Sequence, residues 1–250
     1  MIQLQRNIVY GPVHSRRLGI SLGLNILPTK KKICSFDCLY CQYGWTEEFD
    51  DDTLRQVLPS REGIRDALEN YLKKMDYEPD YITFSGNGEA TLHPDFSEIV
   101  DDVNELRSKY TPHAKTTILS NSTQVFKPEV REALAKLDGI IMKLDAGDEE
   151  TFRRYNRPRK YVNLETITEE LSKMNKVTIQ TLFTLGDAGN YKDDNLTTWL
   201  ERIKKIKPSF VQLYSLDRGY PSESIEPVSK EQLGKIKLLL DKENINSEVY

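Results

Sequence analysis

The chain has 250 residues, 38% of them hydrophobic, enough to bury the core of one α/β barrel or of two small domains. Charged residues make up 30%, and a formal net charge of −4 excludes the global basic footprint of a nucleic-acid binder while leaving room for a local one. No run approaches the roughly 20 apolar residues that span a bilayer, and Met1 to Tyr10, interrupted by Gln3, Gln5, Arg6 and Asn7, has no signal-peptide core, so the cytoplasm and no membrane are expected.

In chain order, short apolar runs alternate with segments of helical period. Ile20 to Leu27 is the first run, continuous as in a strand covered on both faces. Ile64, Leu68, Tyr71, Leu72 and Met75 then share one helical face. Tyr81 to Phe84 is the second run, and Asp95 with Glu98 resembles a capping box before the stripe Phe96, Ile99, Val100, Val103 and Leu106. Thr116 to Leu119 is the third run, after which Pro128 suits a first helical position. Gly139 to Leu144 precedes the stripe Leu164, Ile167, Leu171 and Met174, and Val177 to Phe183 precedes Leu196, Trp199, Leu200, Ile203 and Ile206. The sixth run is Phe210 to Tyr214. A second capping box, Ser229 with Gln232, opens a helix around Leu233, Ile236 and Leu240, and a last strand is expected at Ser247 to Tyr250.

Strand–helix alternation implies right-handed βαβ units and a parallel sheet. Six strands are too few for an eight-stranded barrel and leave an open barrel or a doubly wound sheet. The expected organisation is one domain over 1–250, with a core at about 18–215 and an extension, 216–250, that caps it. In either fold function gathers in the loops after the C-terminal strand ends.

The three cysteines of the chain, Cys34, Cys38 and Cys41, fall within eight residues, spaced C-x₃-C-x₂-C, just after the first run. A secreted disulfide protein would spread an even number along its length. Thiolates are the usual ligands of iron–sulfur clusters, and three ligands for four irons leave one iron open. A structural zinc site would need a fourth ligand, for which only His14, His93 and His113 are available.

With Tyr40 before the third cysteine, the loop resembles the C-x₃-C-x-aromatic-C signature of the radical S-adenosylmethionine (SAM) superfamily, and the resemblance spans roughly Ile20 to Tyr214. It implies an α/β fold, a partial (β/α)6 TIM-like barrel with a parallel sheet and short terminal extensions. It also implies an oxygen-sensitive [4Fe–4S] cluster on Cys34, Cys38 and Cys41 whose open iron chelates the amino and carboxylate groups of SAM. One electron, from a donor such as ferredoxin or flavodoxin, then yields methionine and a 5′-deoxyadenosyl radical that abstracts hydrogen from the substrate, an oxidoreductase chemistry carried by the cofactors.

The resemblance further assigns cofactor contacts. Gly86-Asn87-Gly88-Glu89, after the second run, stands where the family has a Gly-Gly-Glu-like motif at the SAM amino group; glycine allows close backbone approach. Ser120 and Asn121, and then Lys143 and Asp145, occupy the ends expected to meet the ribose and methionine carboxylate. Lys143 and Asp145 alternate and so share one face of a strand, where an ion pair between them is the competing and compatible reading. Gln180, Gln212 and Tyr214 are weaker candidates of the same kind, and no catalytic acid or base can be assigned.

Gly11 to Gly23 is similar to a stretch of the radical SAM subgroup grouped with tRNA wybutosine synthesis, and places Arg16 and Arg17 as candidates for an anionic group. All three thiols are committed to one cluster, unlike in the wybutosine enzymes, which carry further cysteines. Two substrate classes follow. RNA or a nucleotide-like molecule would suit Lys30, Lys31 and Lys32 with Arg153, Arg154, Arg157, Arg159 and Lys160, interleaved by Tyr155 and Tyr161. A protein partner would suit an activase like the small glycyl-radical activating enzymes. A non-catalytic iron–sulfur or zinc-binding protein is the alternative outside catalysis.

Overall fold

The computed structural model describes the backbone of residues 1–250 and all side chains except those of residues 51–53. Its elements run β1 (Val9–Ser15), β2 (Gly19–Leu24), α1 (Asp51–Val57), α2 (Arg61–Leu72), β3 (Tyr81–Phe84), α3 (Phe96–Tyr110), β4 (Lys115–Ser120), α4 (Pro128–Ala135), β5 (Gly139–Lys143), α5 (Glu149–Tyr155), α6 (Leu164–Ser172), β6 (Val177–Leu182), β7 (Thr184–Leu185), α7 (Asp193–Ile206), β8 (Phe210–Tyr214), β9 (Glu226–Pro227), α8 (Lys230–Lys242) and β10 (Ser247–Val249). Eight strands form one sheet in the order β1-β2-β3-β4-β5-β6-β8-β10, parallel throughout except for β1, which pairs antiparallel with β2. This is the partial barrel, with the six expected parallel strands at its centre.

Each strand turns one row toward the helices. Ile82 and Phe84, Ile118, Ile140 and Met142, Ile179, and Val211 and Leu213 all enter the main core. The helical stripes meet them: Ile64, Leu68 and Leu72 of α2, Phe96, Ile99, Val100, Val103 and Leu106 of α3, and Trp199, Ile203 and Ile206 of α7 are buried. Edge-to-face rings, Phe84 on Phe96 at 5.7 Å and Phe183 on Trp199 at 5.2 Å, lock strand to helix. Leu144 enters the helical layer, and its carbonyl accepts from Trp199 Nε1 at 3.0 Å.

Three details depart from the sequence reading. The first run ends as a strand at Leu24 and not Leu27, and it is preceded by β1, whose exposed middle carries no hydrophobic alternation. The last strand does not cap the barrel; β10 pairs with β8 and lengthens the sheet. Asp95 is the N-cap of α3 but makes no side-chain capping bond, whereas Ser229 and Gln232 form both bonds of a capping box on α8. Pro128 begins α4 as expected.

The sheet does not close on itself. The turn between β1 and β2 crosses toward the segment after β8, where Arg16 meets Asp217 at 2.6 Å and the Arg17 guanidinium lies 5.1 Å from the Tyr214 ring centre. No described helix is long and apolar enough to cross a membrane.

Gly234 sits inside α8 with nothing within 4 Å of the place a Cβ would occupy. Gly234→Ala is expected to stabilise the protein by about 0.5–1 kcal/mol through the unfolded chain's lost freedom. A urea midpoint that rises at unchanged slope is the readout; one that stays or falls contradicts the account.

Candidate functional site: the cysteine loop and the strand ends

After β2 the chain leaves the sheet and returns over its C-terminal edge. Ile33 N donates to Asn87 O at 2.9 Å and Glu89 N donates to Ile33 O at 2.9 Å, a parallel bridge outside the main ladder. This bridge fixes the backbone immediately before Cys34. It requires Gly88: the residue has φ +138°, and a Cβ there would stand 1.7 Å from Ile33 O. Gly86, at φ +146°, is crowded in the same way by Asn25, whose Oδ1 would lie 2.4 Å from its Cβ. The close approach that these glycines allow is therefore between two stretches of this chain.

The Asn87 side chain is engaged within the chain. Its Oδ1 accepts from Gln5 N at 2.7 Å, and its Nδ2 donates to Gln5 O at 2.9 Å and Pro28 O at 2.8 Å. The buried side chain clamps the N-terminal segment to the loop. Glu89 is also buried and engaged. It accepts from Thr91 N at 3.1 Å, Thr91 Oγ1 at 2.5 Å, Ser120 Oγ at 2.9 Å and Asn121 N at 2.5 Å. Burial raises its pKa, and these donors oppose the rise. Glu89 and Ser120 thus tie the end of β3 to the end of β4, and Asn121 points from that junction at the cysteines. Its Nδ2 lies 3.4 Å from Cys34 Sγ and 2.9 Å from Ser35 Oγ.

The three thiols are free. Desolvation pushes the Cys34 and Cys38 thiols up to about 12, so binding a metal there means displacing protons. Lys32, expected on the solvent rim, is instead only 5% exposed. Its Nζ donates to Gly44 O at 2.7 Å, within the turn that follows Cys41. Burial would lower its pKa, but the charges of Cys41, Cys34 and Cys38 outweigh burial and raise it. A buried ammonium without a carboxylate partner is costly unless something anionic shares its site. A cluster held by three thiolates carries that charge, so the donor set and its surroundings fit the group.

Across the loop lies a second polar knot. Lys143 Nζ is 2.8 Å from Asp145 Oδ1 and donates to Tyr214 OH at 2.8 Å; it also stands 4.9 and 4.8 Å from the ring centres of Tyr40 and Tyr214. Burial alone would lower the Lys143 pKa; Asp145 and Tyr214 reverse this and raise it. Asp145 also accepts from Tyr40 OH, from Leu182 N at 2.9 Å and from Asn156 Nδ2 at 2.9 Å. The expected Lys143–Asp145 pair is present, and the carboxylate is the hub that orients Tyr40 against the loop.

Asn156, which the sequence did not single out, joins the two halves. Its Nδ2 reaches Asp145, Tyr40 OH at 3.3 Å and Cys38 Sγ at 3.5 Å, while its buried Oδ1 has no partner. Its only local signal is its place at the C-terminus of α5.

The basic rim is largely consumed. Arg153 binds Glu149 and the Val162 carbonyl, Arg154 binds Glu150, and Arg159 lies 3.5 Å from the Phe49 ring centre while donating to Phe49 O at 2.8 Å. Arg157 stands 4.9 Å from the Trp45 ring centre. Tyr155 offers no stacking surface, since it is fully buried. Arg157, Lys160 and Tyr161 are exposed.

Comparison with known proteins adds the family. The model of the Radical SAM superfamily matches residues 31–200. The UPF0026 protein MJ1312 of Methanocaldococcus jannaschii is 33% identical over 235 residues, 92% of this chain and 70% of that protein. The chain spans 34% of the length of another relative, a Brachyspira hyodysenteriae protein named GTPase Obg, to which it is 31% identical over 94% of itself. Among solved structures, Streptococcus suis SuiB bound to S-adenosylmethionine superposes with a TM-score of 0.65 at 15% identity, covering 91% of this chain and 50% of SuiB. TYW1 with a lysine-pyruvate adduct gives a TM-score of 0.58 at 19% identity over 89% of this chain and 73% of that one. At such identities the two likenesses concern the fold alone. The sequence matches reach further: this chain belongs to the Radical SAM superfamily, enzymes that work with S-adenosylmethionine and an iron–sulfur cluster.

Proposed function

We propose that this chain holds a [4Fe–4S] cluster on Cys34, Cys38 and Cys41, cleaves SAM reductively at the mouth of the barrel, and abstracts hydrogen from a small molecule bound inside it. The observation that carries the reading is the docking of the cysteine loop on the C-terminal ends of the parallel strands, opposite the Lys143–Asp145–Tyr40 knot. When bound, the cluster supplies one electron and SAM supplies the 5′-deoxyadenosyl radical.

The residues divide the remaining work. The three cysteines ligate; Asn121 and Asn156 point amide donors at Cys34 and Cys38. Lys32 is the fixed counter-charge of the loop. Asp145 has its oxygens filled by four partners, so its role is to position. Lys143 has used two of its three ammonium donors and keeps one for the SAM carboxylate. The Asn156 Oδ1, buried and unpaired, is the acceptor for a donor group of SAM. A small-molecule substrate is favoured over RNA because Arg153, Arg154 and Arg159 are occupied within the chain.

Anaerobically reconstituted protein given SAM and dithionite should form 5′-deoxyadenosine, and Cys38→Ala should lose both the iron and the product. An intact cluster that yields none of it would refute the reading. Gly88→Ala should lower iron retention about tenfold or more, as loss of an outer-shell support does, while leaving the fold's circular dichroism unchanged; full iron retention would show that the bridge is dispensable. Lys32→Met should make the cluster harder to reduce by about tenfold, or 59 mV for one electron, and Lys32→Arg should restore most of it. Equal midpoints by electron paramagnetic resonance titration in all three proteins would remove Lys32 from the account.

A further inference from the structure

A cavity of about 450 Å³ opens inside the barrel on the side away from the cysteines. Its lining comes from the first residues of the strands, Thr117 of β4, Thr178 of β6 and Gln212 of β8 among them, and from the seam, where Arg17 and Tyr250 meet. The strand rows facing the helices are aliphatic, whereas this lining mixes the apolar Ile141 and Phe210 with the hydroxyls and amide of Thr117, Thr178, Ser209 and Gln212.

Its donors lack acceptors. The Arg17 guanidinium stands 5.1 Å from the Tyr214 ring centre and 5.9 Å from that of Tyr250, which fix its plane but accept no hydrogen bond in it. Among the described residues Arg17 has no side-chain hydrogen bond or ion pair, and its Nη1 is buried without a partner. Gln212 accepts from Gln180 Nε2 at 3.0 Å through Oε1, and its own amide nitrogen has no acceptor among the described residues. The side-chain carboxylate on the lining, Asp138, is turned to Thr116, accepting from its N at 2.8 Å and its Oγ1 at 3.2 Å. A planar cation with five donors and an amide donor, in one cavity, match an oxyanion.

The cavity is wired to the cysteine side. Gln180 Oε1 accepts from Tyr214 OH at 3.1 Å, and Tyr214 OH accepts from Lys143 Nζ at 2.8 Å. An unbroken chain, Gln212–Gln180–Tyr214–Lys143–Asp145, thus runs from the cavity to the knot beside Cys38.

We propose that this cavity is an anion-binding site, in which Arg17 and Gln212 bind the carboxylate or phosphate of a small molecule. The volume suits a small acid. What becomes of the bound acid rests on the radical SAM reading; the binding itself does not.

Equilibrium dialysis of radiolabelled inorganic phosphate and, separately, radiolabelled acetate against the anaerobically reconstituted full chain tests it, and the two arms tell phosphate from carboxylate. Saturable binding of at least one probe is expected. Arg17→Gln should weaken it about tenfold, equivalent to about 1.4 kcal/mol, while Arg16→Gln, which alters an exposed pair with Asp217, should not. Should Arg17→Gln lose its fold or cluster, Gln212→Leu takes its place and must weaken binding without touching the seam. No saturable binding of either probe, wild-type affinity in the informative variant, or equal losses in Arg16→Gln and Arg17→Gln (an adventitious ion only) would overturn the proposal. Failure to form 5′-deoxyadenosine with anion binding intact would instead strike the radical SAM reading and leave the anion site standing.

Discussion

One backbone bridge, Ile33 to Gly88, decides where the chemistry sits. Nineteen residues lie between Leu24, the last residue of β2, and Gly44, the end of the cysteine turn. Such a length of chain has far too much freedom to hold three thiols in mutual register unless its backbone is anchored. The bridge supplies the anchor immediately before Cys34, and Asn87 adds a second by gripping Pro28 and Gln5. Because the anchor is made of main-chain groups, it tolerates wide variation in side chains but not a Cβ at Gly88. The Gly-Asn-Gly-Glu stretch is best understood as a clasp whose final residue, Glu89, extends the fixation to β4 through Ser120 and the Asn121 amide.

Charge is organised around the same loop in two layers. Lys32 sits on one side as a buried cation held by the Gly44 carbonyl and Cys41, with no carboxylate partner among the described residues, and the Lys143–Asp145 pair sits on the other as a closed ion pair. The difference matters. A closed pair is electrically nearly neutral at a distance and serves to hold geometry, here that of Tyr40 and Asn156. An unpaired cation keeps its field and acts on whatever charge occupies the loop. Desolvation sharpens both effects, since the low dielectric that penalises Lys32 also strengthens its attraction to an anionic occupant.

The fold could be read from the sequence wherever a helix or strand buries a regular face. The stripes of α2, α3, α6 and α7 and the six central strands follow from periodicity because the core that selects them is the same physical effect. β1 could not, because its residues are mostly exposed and pair through backbone groups that carry no sequence signature. In the site, the cysteines and the Lys143–Asp145 alternation were readable because spacing alone constrains them. Lys32 and Asn156 were not: one was grouped with Lys30 and Lys31 as a candidate for RNA or a nucleotide-like molecule, and the other reaches Cys38 across 118 residues. The arginines after β5 misled for the same reason, since a run of charges does not disclose partners as distant as Phe49.

The open seam explains why the barrel interior can be polar. A closed eight-stranded barrel fills its centre with layers of branched apolar side chains, and that packing is what stabilises it. Here the inner row includes Thr117, Thr178, Gln180 and Gln212, whose amides and hydroxyls must be satisfied by one another or by a guest. The structure offsets the lost inner packing on the outer face, where the aliphatic row and the helices form one continuous core from Val9 to Leu240. Stability is thereby carried by the outside of the sheet, and the inside is released for binding. Arg17 sits where the two requirements meet: its side chain helps span the gap between the sheet edges, yet its buried Nη1 is left without a partner. A residue needed only to close the seam would gain more from a carboxylate, as Arg16 does with Asp217 one position away.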